Sequence, residues 1–379
     1  MHILFLLRYY PIYGGGETVT LQLANEFVKR GKKVTILYLW ESDRKDVYVS
    51  KDITALKVEP MHNPIDKEVI NSSDLKVMES YLYDVIRKYN PDIIINQWWP
   101  VEVVYNANKG ICKIVKCHHT AIIMDTPKKR LLKKLLPVFC YNYLINYKTR
   151  KEYNNTLKYS DKWVFLCDEH RKEIINVFGK RVDVAKLEVI PNPCRYKQNY
   201  KALLTKKKKV LFVGRIAKVK NVEYILDVWK NIERFVADNN WQLDIVGDGE
   251  LFEQCNKKIT QENIKNVKMF GSADPLPFFE EASILIMASL NEGFPVVLNE
   301  AMCNGCVPIV RDSFSSLKNI VENNYNGIIF DNDCSSELIA LMNNTKIRKE
   351  LAENAILSSK RYNIDVIYDK WNDLFSSLQ

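Results

Sequence analysis

Apolar runs of strand length alternate with segments of helical period through most of the chain, and no other feature constrains the fold as strongly. Ile3 to Leu7 form a first run, Val19, Leu23, Ala24 and Phe27 recur at helical spacing, and Val34 to Leu39 form a second run. Ile93 to Ile95, Ile111 to Cys117, Trp163 to Cys167 and Val189 to Ile190 continue the series, with polar or helical stretches between most of them. Strands separated by helix-length segments pair in parallel, because the chain must cross over a sheet face before the next strand begins. The pattern predicts an α/β fold with a doubly wound sheet.

At Pro191-Asn192-Pro193 the alternation pauses, and a polar stretch ending in Lys206 to Lys209 reads as a linker. It restarts at Val210 to Val213 and runs on through Leu243 to Val246, Val267 to Phe270, Ile284 to Met287, Val307 to Val310 and Ile328 to Phe330. Two Rossmann-like units facing across a cleft are therefore expected, over residues 1–195 and 206–357. The length of 379 residues agrees, since single cores stop growing at roughly 250–300 residues. Within 358–379, Ile364, Ile367, Trp371, Phe375 and Leu378 mark a last amphipathic helix that is free to pack away from the second sheet.

Composition narrows the class. At 47% hydrophobic and 27% charged the chain is an ordinary globular one, which excludes disorder. The surplus of 55 basic over 46 acidic residues suits nucleic acid, an anionic membrane or a phosphorylated substrate, but no nucleic-acid motif is present. Nine cysteines, odd in number and scattered, point to a reducing compartment rather than a disulfide framework. The short apolar run at the N-terminus has no basic residue before it and a charge directly after, so it lacks the pattern of a secretory leader. No window approaches the roughly 18 apolar residues of a membrane span. The expectation is a cytoplasmic protein, soluble or lying on the inner face of the membrane.

Ligands of open α/β sheets bind beyond the carboxyl ends of strands, so the loops there carry the chemistry. After the first strand, Gly14-Gly15-Gly16-Glu17 allows close approach to the main chain, although Val19 breaks the dinucleotide pattern G-x-G-x-x-G. After the first strand of the second half, Gly214-Arg215 followed by Lys218 and Lys220 supplies cations for a diphosphate, or else forms a solvated basic loop. Val246-Gly247-Asp248-Gly249 by itself is only a turn signal. The stretch Glu292-Gly293-Phe294-Pro295-Val296 leads into a helix with Pro295 at its first position, so that backbone N–H groups face any anion above. About a turn further on, Glu300 lies among Val296, Val297, Leu298, Ala301 and Met302. Burying a carboxylate there is costly unless donors such as vicinal sugar hydroxyls meet it, and the alternative is a solvated helix face. Cys117-His118-His119-Thr120 ends another strand, where a histidine either orients a substrate oxygen or caps a loop. Cys303 and Cys306 form C-x-x-C without a second pair of zinc spacing, and Asp331-Asn332-Asp333 reads as a turn before a metal-binding D-x-D.

Taken together these elements resemble retaining glycosyltransferases of the GT-B fold, specifically glycosyltransferase family 4 (glycosyl transferases group 1). The match covers most of the chain, and the two glutamates Glu292 and Glu300 are its most specific part. By that resemblance, Arg215 and Lys220 bind the donor diphosphate and Glu300 the ribose hydroxyls. Glu292 and the backbone at Gly293 and Phe294 hold the donor sugar. Gly15 and Gly16 approach the phosphates from the opposite domain, and the final helix packs back on the first domain. His118 matches the family's histidine near the anomeric centre, with His119 as the alternative register. The resemblance implies no obligatory metal or cofactor, and same-face attack in which the leaving phosphate accepts the acceptor's proton.

From Lys128 to Lys158 the chain carries nine basic residues and a single acid, Glu152. Lys128, Lys129, Arg130, Lys133 and Lys134 alternate with leucine pairs, which suits an anionic membrane or a basic helix packed on the first domain. With the resemblance, the expected partners are a nucleotide sugar (a UDP-sugar before a GDP-sugar) and a lipid-linked saccharide of a bacterial envelope polysaccharide. Two other classes compete: a nucleotide-sugar 2-epimerase on the same fold, and a non-catalytic basic protein that binds membrane surfaces.

Overall fold

Strand β1 (His2–Tyr10) forms because its apolar run is buried on both faces, Ile3 and Phe5 on one and Leu4 and Leu6 on the other. The computed structural model describes residues 1–11, 14–42, 48–61, 70–119 and 147–379. After β1 come α1 (Gly15–Lys29), β2 (Lys33–Glu41), β3 (Ile53–Lys57), α2 (Ser72–Tyr89), β4 (Ile93–Asn96), α3 (Val101–Asn108) and β5 (Lys113–Cys117). Then follow α4 (Tyr147–Tyr159), β6 (Lys162–Phe165), α5 (Asp168–Phe178) and β7 (Leu187–Val189). The seven strands pair in parallel in the order β3-β2-β1-β4-β5-β6-β7.

One face of this sheet packs Leu4, Leu6, Leu37 and Ile94 against Met78 and Leu82 of α2 and Val104 of α3. On the other face Phe5 stacks on Phe27 of α1. Phe27 also meets Tyr368, Trp371 and Phe375 of the last helix, α14 (Ile364–Ser376). Arg30 pairs with Asp365, and Lys32 Nζ donates to Asn372 Oδ1 at 3.0 Å.

The second unit begins with β8 (Lys207–Val213), α6 (Val222–Asn231), α7 (Glu233–Asn239), β9 (Gln242–Val246), α8 (Phe252–Gln261), β10 (Val267–Met269) and α9 (Leu276–Glu281). It continues through β11 (Ala282–Met287), α10 (Val296–Cys303), β12 (Val307–Arg311), α11 (Leu317–Ile320), β13 (Ile328–Phe330), α12 (Ser335–Asn343) and α13 (Thr345–Ser359), after which α14 closes the chain. Its six strands are also parallel, in the order β10-β9-β8-β11-β12-β13.

Among the described residues the first unit takes the chain up to Pro193 together with Ile364–Gln379, and the second takes Cys194–Asn363. The stretch read as a linker is thus built into the second unit. Cys194 N donates to the Tyr362 carbonyl at 2.7 Å, Asn199 N donates to the Cys303 carbonyl at 2.8 Å, and Tyr200–Leu204 coils as a 3₁₀ turn. Lys207 to Lys209 open β8 itself, and Lys209 Nζ lies 2.9 Å from the buried Asp244 and 3.1 Å from Glu281. A run of lysines reads as solvent-facing unless those two acids are known to be its neighbours. Sequence periodicity also passes over β3, an edge strand with one partner and no apolar run. Ile111 falls outside β5, because Asn108 Oδ1 accepts from Cys112 N at 3.0 Å and Asn108 Nδ2 donates to the Cys112 carbonyl at 2.7 Å, making a turn there.

Candidate functional site

In the second sheet β8 and β11 lie side by side, yet the chain leaves β8 toward β9 and leaves β11 toward β12. Such a reversal parts the two loops at the carboxyl edge, where open α/β sheets take ligands. The loop after β8 is fixed by main-chain contact. Gly214 N donates to the Val246 carbonyl (3.0 Å), Ile216 N to the Asp248 carbonyl (2.9 Å) and Leu251 N to the Ile216 carbonyl (3.0 Å). A Cβ on Gly247 would stand 1.9 Å from the Gly214 oxygen, and one on Gly249 2.5 Å from the Ile216 oxygen. Gly247-Asp248-Gly249 is therefore more than a turn: its missing side chains let the neighbouring loop lie directly on it.

That loop presents Arg215, exposed and without an ion pair among the described residues, and Lys220, whose Nζ is 2.5 Å from Glu292 Oε1. The Lys220 and Glu292 side chains are 21% and 13% exposed, so this pair is largely shielded yet reachable. Leu290 N donates to the Val219 carbonyl at 2.7 Å, joining the loop after β11 to the loop after β8. Pro295 stands one residue before the helix, as its N-cap, and not in the first helical position; boundaries of this kind shift by a residue with the cap geometry. With no side-chain cap at this end, the first N–H groups of α10 keep their capacity for an anion. Phe294 is buried with its ring edge against Tyr362.

Glu300, on α10, is 12% exposed and meets a residue that sequence reasoning missed: Arg195 Nε lies 3.3 Å from Glu300 Oε1. Burial raises the Glu300 carboxyl above the ordinary carboxylate range, Arg195 opposes that rise and the negative charge of Asp274 adds to it. Arg195 was hidden in the apparent linker. The signal that could have found it is Glu300 itself, since a buried carboxylate demands a cation or donors.

In the first unit, Gly14 caps α1 and its N–H donates to Glu17 Oε2 at 3.1 Å. A Cβ on Gly15 would meet nothing within 4 Å, whereas one on Gly16 would fall 2.8 Å from the Trp98 ring. Trp98 in turn stacks on His119, with centroids 5.3 Å apart. His119 Nε2 bonds Gln97 Oε1, which places the hydrogen on Nε2, and among the described residues the buried His119 Nδ1 acceptor and the buried Trp98 Nε1 donor have no partner. Burial and the nearby charge of Lys116 hold the His119 imidazole down at about 4, so the ring is neutral at pH 7. The ring of His118 instead packs among Tyr153, Trp163 and Phe165. Neither Trp98 nor Gln97 carried a sequence signal, because both follow a short strand with no motif around them.

The remaining constellations have structural explanations. Cys303 Sγ lies 3.6 Å from Cys194 Sγ, and Cys306 Sγ donates to the carbonyls of Phe279 and Ala282. Asp333 Oδ1 accepts from Ser335 N and Oγ, a turn that starts α12. Lys128, Lys129, Arg130, Lys133 and Lys134 lie outside the described residues. Among the described residues no cluster of His, Cys, Asp or Glu could hold a metal, and no helix is long and apolar enough to cross a membrane.

The two parallel, doubly wound sheets of seven and six strands match those of GT-B glycosyltransferase structures. The chain belongs to that class. Residues 13–195 match the family model Glycosyltransferase Family 4, and residues 197–358 match Glycosyl transferases group 1. A curated relative from Campylobacter jejuni, GalNAc-alpha-(1->4)-GalNAc-alpha-(1->3)-diNAcBac-PP-undecaprenol alpha-1,4-N-acetyl-D-galactosaminyltransferase, is 26% identical over 203 residues, 52% of this chain and 56% of the relative. The amylovoran biosynthesis glycosyltransferase AmsD of Erwinia amylovora is 26% identical over 278 residues, 70% of each chain. The chain spans about half the length of the first curated relatives it matches. Among solved structures, Anabaena HepE in complex with UDP superposes with a TM-score of 0.72 at 16% identity, covering 100% of both chains.

Proposed function

We propose that this protein transfers a sugar from a nucleotide donor, a UDP-sugar before a GDP-sugar, to a lipid-linked saccharide in bacterial polysaccharide synthesis, with retention of anomeric configuration. The observation that carries this reading is the ion pair of Lys220 with Glu292, which joins the loops after β8 and β11 beside Arg215 and the N-terminus of α10, the helix that carries Glu300. Arg215 and Lys220 would oppose the charge of the departing diphosphate, in place of a metal ion. Glu292 holds Lys220 in the site, and with Gly293 and Phe294 it would receive the donor sugar. Glu300 would accept from the ribose hydroxyls.

Among the two histidines, His119 is the better candidate to meet the reacting sugar. Its neutral ring offers an unpartnered acceptor beside an unpartnered Trp98 donor, a combination matched by a hydroxyl that donates to one and accepts from the other. Gly16 would lie near the phosphates on the same side of the first unit. The reading keeps the same-face attack that the family resemblance implies, with the leaving phosphate taking the acceptor's proton. The UDP held by the HepE structure and the undecaprenol acceptor named for the Campylobacter relative support the choice of donor and acceptor. The basic segment would hold the enzyme at the cytoplasmic face of an anionic membrane.

The test supplies UDP- and GDP-sugars with and without a polyprenyl-diphosphate saccharide, in EDTA, and determines the anomeric configuration of the product by NMR. Transfer with retention is expected. Donor epimerised without acceptor would replace the reading with a 2-epimerase, and no nucleotide binding at all would leave a surface-binding protein.

A further inference from the structure

We propose that Arg195 is a positioning residue for donor binding: it holds the Glu300 carboxylate by one oxygen and leaves the other free for the ribose. The inference rests on the reading that Glu300 receives the nucleotide's ribose, and goes beyond it by giving a role to a side chain outside every recognised motif.

The ion pair is one-sided. Arg195 Nε lies 3.3 Å from Oε1, while Oε2 makes no hydrogen bond among the described residues. A carboxylate held by one oxygen keeps the other for incoming hydroxyl donors. The guanidinium is itself held in place, with its carbon 4.6 Å from the centre of the Tyr196 ring, and that ring packs edge-on to the buried Phe279 at 6.2 Å. The backbone around Arg195 is tied to the elements that carry Glu300. Asn199 N donates to the carbonyl of Cys303, three residues after Glu300 on α10, and Cys194 Sγ touches Cys303 Sγ at 3.6 Å. These contacts tie the backbone beside Arg195 to the helix that carries Glu300.

The pair also has a defined charge environment. The groups that face Glu300 are Arg195, Tyr196, Asp274 and the thiol of Cys303, which is itself paired with Cys194. Burial pushes the Tyr196 phenol upward, and the contact with Cys194 together with burial pushes the Cys303 thiol upward, so both stay neutral through the range in which a carboxyl titrates. Asp274 raises the Glu300 carboxyl, as burial does, and among the described residues Arg195 is the group that lowers it. Without Arg195 the carboxyl would take up its proton at a higher pH. The protonated form loses acceptor capacity and with it the grip on the ribose.

The test measures UDP and 2′,3′-dideoxy-UDP affinity by calorimetry from pH 5 to 8 for wild type, Arg195→Ala, Arg195→Lys and Glu300→Gln, each first shown to unfold cooperatively. Wild type is expected to prefer UDP by tenfold or more. Arg195→Ala should keep that preference at pH 8 and lose it, as pH falls, at a midpoint above that of wild type, and Arg195→Lys should restore most of the difference. An unshifted midpoint in Arg195→Ala overturns the proposal, and so does an equal loss at every pH, which would mean that Arg195 touches the nucleotide itself. Failure of the underlying reading looks different: wild type would not discriminate the dideoxy analogue, and Glu300→Gln would bind both nucleotides as wild type does.

Discussion

Replacing Gly247 by alanine tests whether the contact between the loops after β8 and β9 is what holds the loop that carries Arg215 and Lys220. The new Cβ would sit 1.9 Å from the Gly214 oxygen, and the backbone at Gly247 has φ +139°, a region L side chains rarely adopt. Backbone strain of this kind costs about 1–3 kcal/mol. The clash cannot be relieved by a rotamer, because its partner is main chain, so the two loops must separate. Separation breaks the bonds from Gly214 N to the Val246 carbonyl and from Ile216 N to the Asp248 carbonyl, at about 1 kcal/mol each. The total of roughly 3–5 kcal/mol should lower the melting temperature of the second unit by roughly 10 °C, read by calorimetry. UDP affinity should fall with it, since Arg215 and Lys220 ride on the displaced loop. Gly271→Ala is the control, with φ +68° but nothing within 4 Å of its Cβ, so it should cost only the backbone strain. If Gly247→Ala melts within two or three degrees of wild type and binds UDP equally well, the close approach does not hold this loop and the reasoning fails.

Arg215→Ala and Lys220→Ala should each lower turnover by about 10²-fold or more in a folded protein, without rescue by magnesium, while wild type keeps full activity in EDTA. Strict metal dependence would instead return attention to Asp331 and Asp333. His119→Ala should slow transfer while leaving UDP affinity intact, whereas His118→Ala should act through stability by loosening the Tyr153–Trp163–Phe165 cluster, so kinetics and melting temperature together assign the pair. His170 is buried with its imidazole held down to about 4 by desolvation. A histidine whose folded value lies below its unfolded one withdraws stability as pH falls, here from about 6.5 toward 4, to a total of about 3 kcal/mol. His170→Gln should flatten that part of the stability profile in acid unfolding.

Periodicity revealed the strands that are apolar on both faces, because a parallel sheet covered by helices leaves a continuous apolar run, as at Ile3 to Leu7 or Ile284 to Met287. It could not reveal β3, which has a single partner among the described residues, or the start of β8, where Lys207 and Lys209 pair with acids far away in sequence. The second unit's site was legible because its residues fall in compact motifs at strand ends, Gly214-Arg215 and Glu292 to Glu300. What escaped was whatever acts through three-dimensional neighbours: Arg195 against Glu300, Trp98 against Gly16, and the choice between two adjacent histidines. Adjacent residues leaving a strand point to opposite sides, and only the neighbours on each side tell which of His118 and His119 meets core aromatics.

The last helix belongs in space to the first unit, with Tyr368, Trp371 and Phe375 laid on Phe27. On the ribosome this means that the apolar face of α1 emerges early and waits for its cover while the whole of Cys194–Asn363 is translated. At roughly 5–20 residues per second the delay is on the order of 10–35 s, long compared with the folding of most single domains. The nascent first unit must therefore persist with an open aromatic face, and a chain interrupted anywhere after the second unit would release a polypeptide whose later half is complete while its earlier half is not.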